Sequence, residues 1–398
     1  MRALRPLKTP ASPRREGGPG GGALILTVTP VATNADREAF LRLPWRLYAG
    51  NKAWVPNLLM LQREVIDPKK NPFFQHAEVQ LFLARRDGAP AGRVSAQIDH
   101  DHNQQHGERT GFFGFFECGD DPEVAAALLT AAEAWLRERG MQQIRGPLSF
   151  SINEEAGLQV EGFDEPAMIA MPQALPYYGA LIEAQGYAKA MDLLAYRWDF
   201  KPTPERMVEA VAKTRAAPGL TVRPIRMGKL RQEVDILLDI YNDTWSDNWG
   251  YVRVTRAEAA KMVSDLRLIA DKRVVLIAEK DGEPAGMVVA LPNLYDAIRD
   301  FNGFIDPIKA VKLLWRLKVR GVTNGRIMLF GVKKKFRTRE LHGLPFLLLD
   351  ELYRAASRGR YEWCEESWVL ENNGRLNATM PYWGAYVYKR YRLYEKPL

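Results

Sequence analysis

The residues with the plainest chemistry lie between Leu329 and Asp350, LFGVKKKFRTRELHGLPFLLLD. An apolar run of strand type, Ile327 to Val332, leads into Lys333, Lys334, Lys335, Arg337 and Arg339, and the turn closes at Gly343. Apolar residues then recur at helical spacing from Leu344 to Ala356. A strand, a basic turn and a helix start together make an anion site. The first helical N–H groups lack internal partners, and the helix dipole adds positive potential. The anion that suits such a site is a phosphate or pyrophosphate. The alternative is a solvated basic loop between two core elements.

Other groups carry possible chemistry of a different kind. Asn153-Glu154-Glu155 follows the strand-like LSFSI, with Asp164 behind it in the turn GFDEP. Carboxylates so placed serve as general bases or simply cap a helix. Asn242 to Gly250, NDTWSDNWG, sets Trp245 and Trp249 among Asn242 and Asn248. Flat rings with polar neighbours suit a lipid or aromatic ligand, and equally suit core packing. Asp99-His100-Asp101-His102 with His106 has a period of two, which on a strand end could converge on a metal. Solvated histidines are the stronger reading, so no metal is expected there, and His76 is equally ambiguous. Cys118 and Cys364 sit in apolar runs and read as buried free thiols without a nucleophile's neighbours.

The elements that must position these groups are legible along the chain. At 398 residues it has room for two domains, and 46% hydrophobic with 26% charged residues describes a globular protein. A net charge of +8 points to an anionic partner: nucleotide, nucleic acid or membrane surface. Residues 1–22 are basic and rich in Pro and Gly and read as a disordered tail, not a signal peptide. Residues 35–66 look helical with an interruption. VQLFLARR, DGAPAG and RVSAQID form a hairpin, GFFGFFE a third strand, Pro122 to Gly140 a helix, and Gln143 to Ile152 another strand. Tyr177 to Gln185 is a short helix and Met191 to Trp198 a strand. The Pro-bracketed residues 201–220 read as a linker. Then the plan recurs: DGEPAG at 281–286 repeats DGAPAG at 87–92, and PYWGA at 381–385 echoes PYYGA at 176–180. The order of elements in both halves indicates a tandem duplication.

A hairpin, a strand, a helix, another strand, and a terminal helix and strand resemble the GNAT acyl-CoA N-acyltransferase fold. That resemblance implies a loop of form Arg-x-x-Gly-x-Gly/Ala after the fourth strand, holding the CoA pyrophosphate on backbone N–H groups. The basic loop fills that place in the second half, with Phe336-Arg337 as the aromatic-Arg pair and Gly343 as the last glycine. It is one residue longer than the pattern, with Glu340 and His342 where small residues are usual. The equivalent turn of the first half, ECGDDP, is acidic, so acyl-CoA is expected on the C-terminal copy alone. NPFFQHAEVQLFLARRDG, GFFGFFE, RGPLSFSINEEAGLQVEGFD, PYYGALIEAQGY and NDTWSDNWGY resemble, more narrowly, a bacterial tandem-GNAT group that includes the bacterial ceramide synthases.

The resemblance implies an α/β fold of tandem duplicated GNAT-like domains with mixed central sheets. The expected division is 1–22 tail, 23–200 N-terminal domain without a phosphate loop, 201–220 linker, and 221–398 C-terminal domain. The implied reaction moves a long-chain acyl group from acyl-CoA to an amine, in the narrow group a sphingoid base, giving a ceramide-type amide. It requires no metal. The alternatives are a pair that binds CoA or lipid without turnover, and an aminoacyl-tRNA-dependent transferase. Glu154, Glu155 and Glu366 are then candidate bases, and Tyr382 a candidate acid for the leaving thiolate. Gly331, Val332, Lys333, Lys334, Lys335, Arg337, Arg339, His342, Gly343 and Asn372 (or its neighbour Asn373) are the expected cofactor contacts. Asn153, Asp164, Asn242, Trp245, Asn248 and Trp249 would border the acceptor. Asp306 to Arg320, DPIKAVKLLWRLKVR, gathers Lys309, Lys312, Arg316 and Arg320 beside Ile308, Val311, Leu314, Trp315 and Val319. It reads as an interfacial helix on an anionic membrane or as an ordinary surface helix. No nucleic-acid motif accompanies it, so nucleic acid is not an expected partner. The expected location is cytoplasmic, peripheral on the inner face of the membrane.

Overall fold

A computed structural model describes residues 25–267 and 269–398. The tail expected at 1–22 lies outside the described residues. The N-terminal half contains β1 (Leu26–Pro30), α1 (Asn34–Leu47), α2 (Leu59–Val65), β2 (Ala77–Arg86), β3 (Ala89–Asp99), α3 (His100–His106), β4 (Thr110–Cys118), α4 (Pro122–Arg137) and β5 (Gln143–Gly146). It ends with the short β6 (Leu148–Ser149) and β7 (Glu155–Ala156), then β8 (Leu158–Glu161), α5 (Tyr178–Glu183) and β9 (Ala188–Asp199). After α6 (Glu205–Arg215) the plan repeats as β10 (Leu220–Pro224), α7 (Leu230–Trp245), α8 (Arg256–Leu266), β11 (Val275–Lys280) and β12 (Glu283–Pro292). It continues with α9 (Leu294–Ile298), α10 (Pro307–Trp315), β13 (Asn324–Val332), α11 (Leu344–Ser357), β14 (Trp363–Leu370), α12 (Gly374–Thr379) and β15 (Tyr386–Pro397).

Local chemistry explains why the two halves match. Both hairpins turn on Asp-Gly with left-handed backbone at each residue: Asp87 and Gly88 at φ 50° and 80°, Asp281 and Gly282 at 52° and 83°. Only a primed turn matches the twist of the flanking strands, and it needs positive φ at both positions. The first helix pair opens on a Thr33–Asp36 capping box, and α8 opens on a Thr255–Glu258 one. Helix α4 starts on Asp121, just before Pro122, and the Asp121 carboxylate accepts from the backbone N–H groups of Glu123 and Val124. Each half packs its long helix, α4 or α11, on its own sheet face around an apolar cluster.

The sheet departs from two separate sheets. It is a single sheet of thirteen strands, in which β9 pairs with β14 and β15 pairs with β5, β8 and β9. Each half thus donates its last strand to the other. The exchange leaves neither half with a free strand edge at the seam, where unpaired backbone groups would otherwise face water. The stretch read as a linker holds the eleven-residue helix α6, which buries Met207 and Val211 and ties Arg215 to Asp350 of α11 at 2.5 Å.

Candidate active site

β13 and β14 run parallel from Asn324 opposite Trp363 to Ile327 opposite Glu366, then part. Beyond that point the edge of β13 from Met328 to Val332 has no partner strand on this side among the described residues. The gap is an open groove of about 670 Å³ between the end of β13, the start of α11 and the segment from Glu366 to Met380. A bare strand edge offers backbone N–H and C=O groups along its length, which suits an amide-bearing chain.

The basic loop is organised differently from its expected role. Lys333 is buried against Asp239 at 2.8 Å, Lys334 pairs with Asp247 at 2.7 Å, and Lys335 pairs with Glu283. The three lysines therefore brace the loop on its neighbours. Arg337, His342 and, on the far wall, Arg375 are the basic side chains that line the groove. Arg337 is held by Nε on the Val332 carbonyl and by a terminal nitrogen on the Thr244 carbonyl, at 2.8 and 3.1 Å. His342 Nδ1 lies 2.7 Å from the Arg339 carbonyl, which fixes that nitrogen as the donor. Arg339 itself is exposed and is not one of the groove walls. Gly331 is needed where it stands: a Cβ there would meet Thr244 Cγ2 at 2.5 Å. Gly343, before α11, has the same constraint against Thr214 Oγ1 at 2.2 Å. Asn372 lines the groove with its side chain exposed, while Asn373 caps α12.

A second cavity, apolar and about 200 Å³, lies under α7 and α8. Leu230, Val234, Leu237, Leu238 and Tyr241 of α7 turn one helix face into it. Four residues line both spaces: Trp245, Met328, Ser367 and Trp368. The groove and the apolar chamber therefore meet at the start of the β13–β14 split. Asn153 sits on the chamber wall, accepting from the Tyr241 hydroxyl at 2.6 Å and donating to the Val252 carbonyl at 3.2 Å. Asn248 and Trp249 line the groove.

Glu366 stands at the junction, one residue before Ser367, and lines the groove. It is 4% exposed, and its Oε2 has no hydrogen-bond partner among the described residues. Burial alone pushes its carboxyl up to about 8. Glu154 borders the chamber and is also raised to about 8, first by burial and then by Glu155 and Glu258, against the opposing effects of Asn71 and Lys261. The cluster expected at Asn153–Glu155 divides here: Glu155 faces a different, polar cavity in the N-terminal half.

Other expected site residues lie elsewhere. Tyr382 is half exposed under the Arg206 guanidinium, 4.1 Å from its ring centre, and is not on the groove wall. Asp164 is exposed in a turn and lines none of the three cavities. Asn242 accepts the Tyr251 hydroxyl at 2.7 Å, a structural bond. The residues with alternating histidines form helix α3, not a strand end. Burial beside His106 drives His102 down to about 4, and His102 contacts Glu108 at 3.3 Å. His76 is clamped between Asp99 and Glu258 at 3.1 and 3.2 Å, bonds that raise it to about 10 and tie the two halves together. Sequence reasoning missed Met328, Ser367, Trp368 and the chamber face of α7. The α7 residues carry only an amphipathic helical pattern, which is also what core packing produces.

On the outside, α10 turns apolar residues outward. Ile308, Val311, Leu314, Trp315 and Val319 are 81, 68, 48, 51 and 70% exposed. Lys312 and Arg316 pair with Asp300, and Lys309 donates to the Phe301 and Phe304 carbonyls, so three of the four clustered basic residues hold the helix to the body. The inner residues Leu313 and Leu317 pack in one cluster with Ala170, Ala270 and Met328, all three of which line the chamber. No helix among the described residues is long and apolar enough to cross a membrane.

No protein-family model matches the chain. Relatives do. A bacterial ceramide synthase of Caulobacter vibrioides is 45% identical over 94% of this chain and 98% of its own, and protein YghO of Escherichia coli K12 is 40% identical over 91% and 93%. Among solved structures, a tandem GNAT protein from the clavulanic acid biosynthesis pathway superposes with a TM-score of 0.53 at 13% identity, covering 94% of this chain and 98% of its own. A GCN5-related N-acetyltransferase from Sphaerobacter thermophilus does so at 0.51 and 15%, covering 94% and 95%. The chain belongs to the family of the bacterial ceramide synthase, and it is an acyl-CoA N-acyltransferase built on a tandem GNAT fold.

Proposed function

We propose that this protein joins a long-chain acyl group from acyl-CoA to the amine of a sphingoid-type amino alcohol, in the groove between β13 and β14. The observation that carries this reading is Glu366, a buried carboxylate with an unpaired oxygen where a groove open to solvent meets an apolar chamber. The nucleotide end of acyl-CoA lies by Arg337, His342 and the start of α11, and the pantetheine arm runs along the bare edge of β13. An apolar chain enters the chamber past Trp245 and Trp368. The amine gives a proton to Glu366, its lone pair adds to the thioester carbonyl, the C–S bond breaks, and CoA leaves as thiolate. Backbone N–H groups of the β13 edge stabilise the oxygen that gains charge. The transfer is direct: burial pushes the Cys118 thiol up to about 12 and the Cys364 thiol up as well, and neither lines the groove. The exposed stripe of α10 rests on the membrane that supplies the acceptor, on the cytoplasmic side where acyl-CoA is available.

Thiol release from palmitoyl-CoA by purified protein tests this, with sphinganine, 3-ketosphinganine and no acceptor compared. Acceptor-dependent release with an amide of the expected mass is the expected result. Tight CoA binding with no release for either amine would sink the reading and leave a binding protein without turnover. In the same assay Arg337→Gln raises KM for acyl-CoA about tenfold with kcat nearly unchanged, the cost of one charge-assisted contact to phosphate. An unchanged KM would remove Arg337 from the cofactor site.

A further inference from the structure

The N-terminal half keeps a split between its own fourth and fifth strands. β4 and β5 are paired only from Thr110 to Phe112; beyond that β4 stays on β3 up to Cys118, but its other edge has no partner strand among the described residues. In the second half the same split is the open groove. Here α1, the Trp54–Asn57 loop and the segment from Ala167 to Ala174 cover it, leaving a cavity of about 120 Å³. It shares no lining residue with the groove or the apolar chamber. It holds several water molecules' worth of space, or one molecule with a handful of heavy atoms.

The walls of this cavity are polar and incompletely paired. Glu117, Glu155 and Arg93 all face it. Glu117 Oε2 has no hydrogen-bond partner and lies 3.5 Å from the Arg93 guanidinium. Arg93 is 93% buried, and its Nε is unpartnered although a terminal nitrogen donates to the Phe40 carbonyl at 2.8 Å. Gln173 Nε2 and the hydroxyl of the 1%-exposed Tyr178 are unpartnered as well. An unsatisfied buried polar atom costs about 1–3 kcal/mol, so four around one cavity mark it as a place where a polar molecule is bound favourably. Burial raises the carboxyls of both Glu117 and Glu155. Behind Glu155, Arg326 is turned away onto Ser367 and the carbonyls of Ile169 and Ala170.

The occupant's chemistry follows from what is unpaired. Glu117 needs a donor, while Arg93 Nε and Gln173 Nε2 need an acceptor. Trp45 and Trp54 also line the cavity, and aromatic faces favour a cation. We propose that this cavity binds a small molecule carrying an ammonium group beside a hydroxyl or carboxylate oxygen. The ammonium lies between Glu117, Glu155 and the tryptophans, and the oxygen accepts from Arg93 and Gln173.

The test uses the full chain and thermal-shift and calorimetric titrations. The probes are ethanolamine and glycine; ethylene glycol and acetate, each lacking one of the two groups, are controls. Saturable binding of ethanolamine or glycine, at least tenfold tighter than either control, is expected. Glu117→Gln and, separately, Ser149→Leu, which fills the cavity without removing a charge, should each weaken binding at least tenfold. If either variant fails to fold, the other decides. Binding equal to the controls, or unchanged in the variants, overturns the proposal. Because the cavity and the groove share no residue, palmitoyl-CoA binding measured alongside stays unchanged in both variants. Loss of that binding in a folded variant would also overturn it.

Discussion

Glu366→Gln lowers kcat/KM for acyl transfer by about 10²- to 10⁴-fold, the usual contribution of a positioned general base. Acyl-CoA binding stays within a few-fold of wild type, because the change is isosteric and lies at the reacting end of the groove. The wild-type pH profile rises through the Glu366 value of about 8, since only the carboxylate accepts the proton of the amine. The variant lacks that rise. A stability measurement separates a base from a structural ion-pair partner. The carboxyl of Glu366 titrates near 8 when folded, against an ordinary value of 4.5. Between those values the folded state holds more protons than the unfolded one, so stability falls as pH rises, and the full penalty is present above about pH 8. Glutamine has no such penalty. Glu366→Gln is therefore more stable than wild type at pH 8, by on the order of a few kcal/mol, and unfolds at a higher temperature there; the gain shrinks toward pH 4.5. A variant less stable than wild type at pH 8 would mean that Glu366 pairs with a cation and is not held as an unpaired base. Glu154, also near 8 but set in the chamber wall, gives the comparison: Glu154→Gln should alter the acceptor's KM more than kcat.

The fold was legible because its signals are local. Asp-Gly turns between alternating apolar runs, and Asp121-Pro122 ahead of a helical pattern, act within a few residues and survive any tertiary context. The repeat of those signals exposed the duplication. The strand exchange was not legible. β9 and β15 read as ordinary closing strands, and which sheet edge a strand joins depends on long-range pairing that leaves no mark in its own alternation.

The site was legible in part for the same reason. Glu366 lies within β14, and Trp245, Asn248 and Trp249 lie at or just past the end of α7, elements whose patterns are local, and the structure brings all four to one groove. The charged loop was read by composition, and composition does not show pairing. Lys333, Lys334 and Lys335 lie opposite Asp239, Asp247 and Glu283, residues 94, 87 and 52 positions away, so their charges are already balanced. What remains for a phosphate is Arg337, His342, Arg375 and the helix start. Asn153, Glu154 and Glu155 fail differently. Consecutive residues at the edge of a short strand point to opposite sides, so one tripeptide serves two cavities.

Replacing Ile308, Val311 and Trp315 together by serine lowers partitioning onto vesicles of anionic phospholipid about a hundredfold, and replacing Lys309, Lys312 and Arg316 by glutamine does less. The order reverses what charge alone would give. The sequence gathers the basic residues together, but two are bonded to Asp300 and the third to backbone carbonyls, so they have little charge left to offer. The residues facing outward are apolar, and Ile308 and Val311 are more than two-thirds exposed. Burying a Val- to Phe-sized side chain stabilises by about 1.5–3 kcal/mol. Three side chains that each recover only part of that in the headgroup region lose about 3 kcal/mol in all, which is about a hundredfold. Activity separates docking from folding. With sphinganine presented in vesicles the serine variant loses most of its kcat/KM, whereas with a short-chain soluble amino alcohol it matches wild type. Equal loss on both substrates would mean that α10 supports the chamber through Leu313 and Leu317, which share a cluster with Ala270 and Met328, and does not dock the protein on lipid.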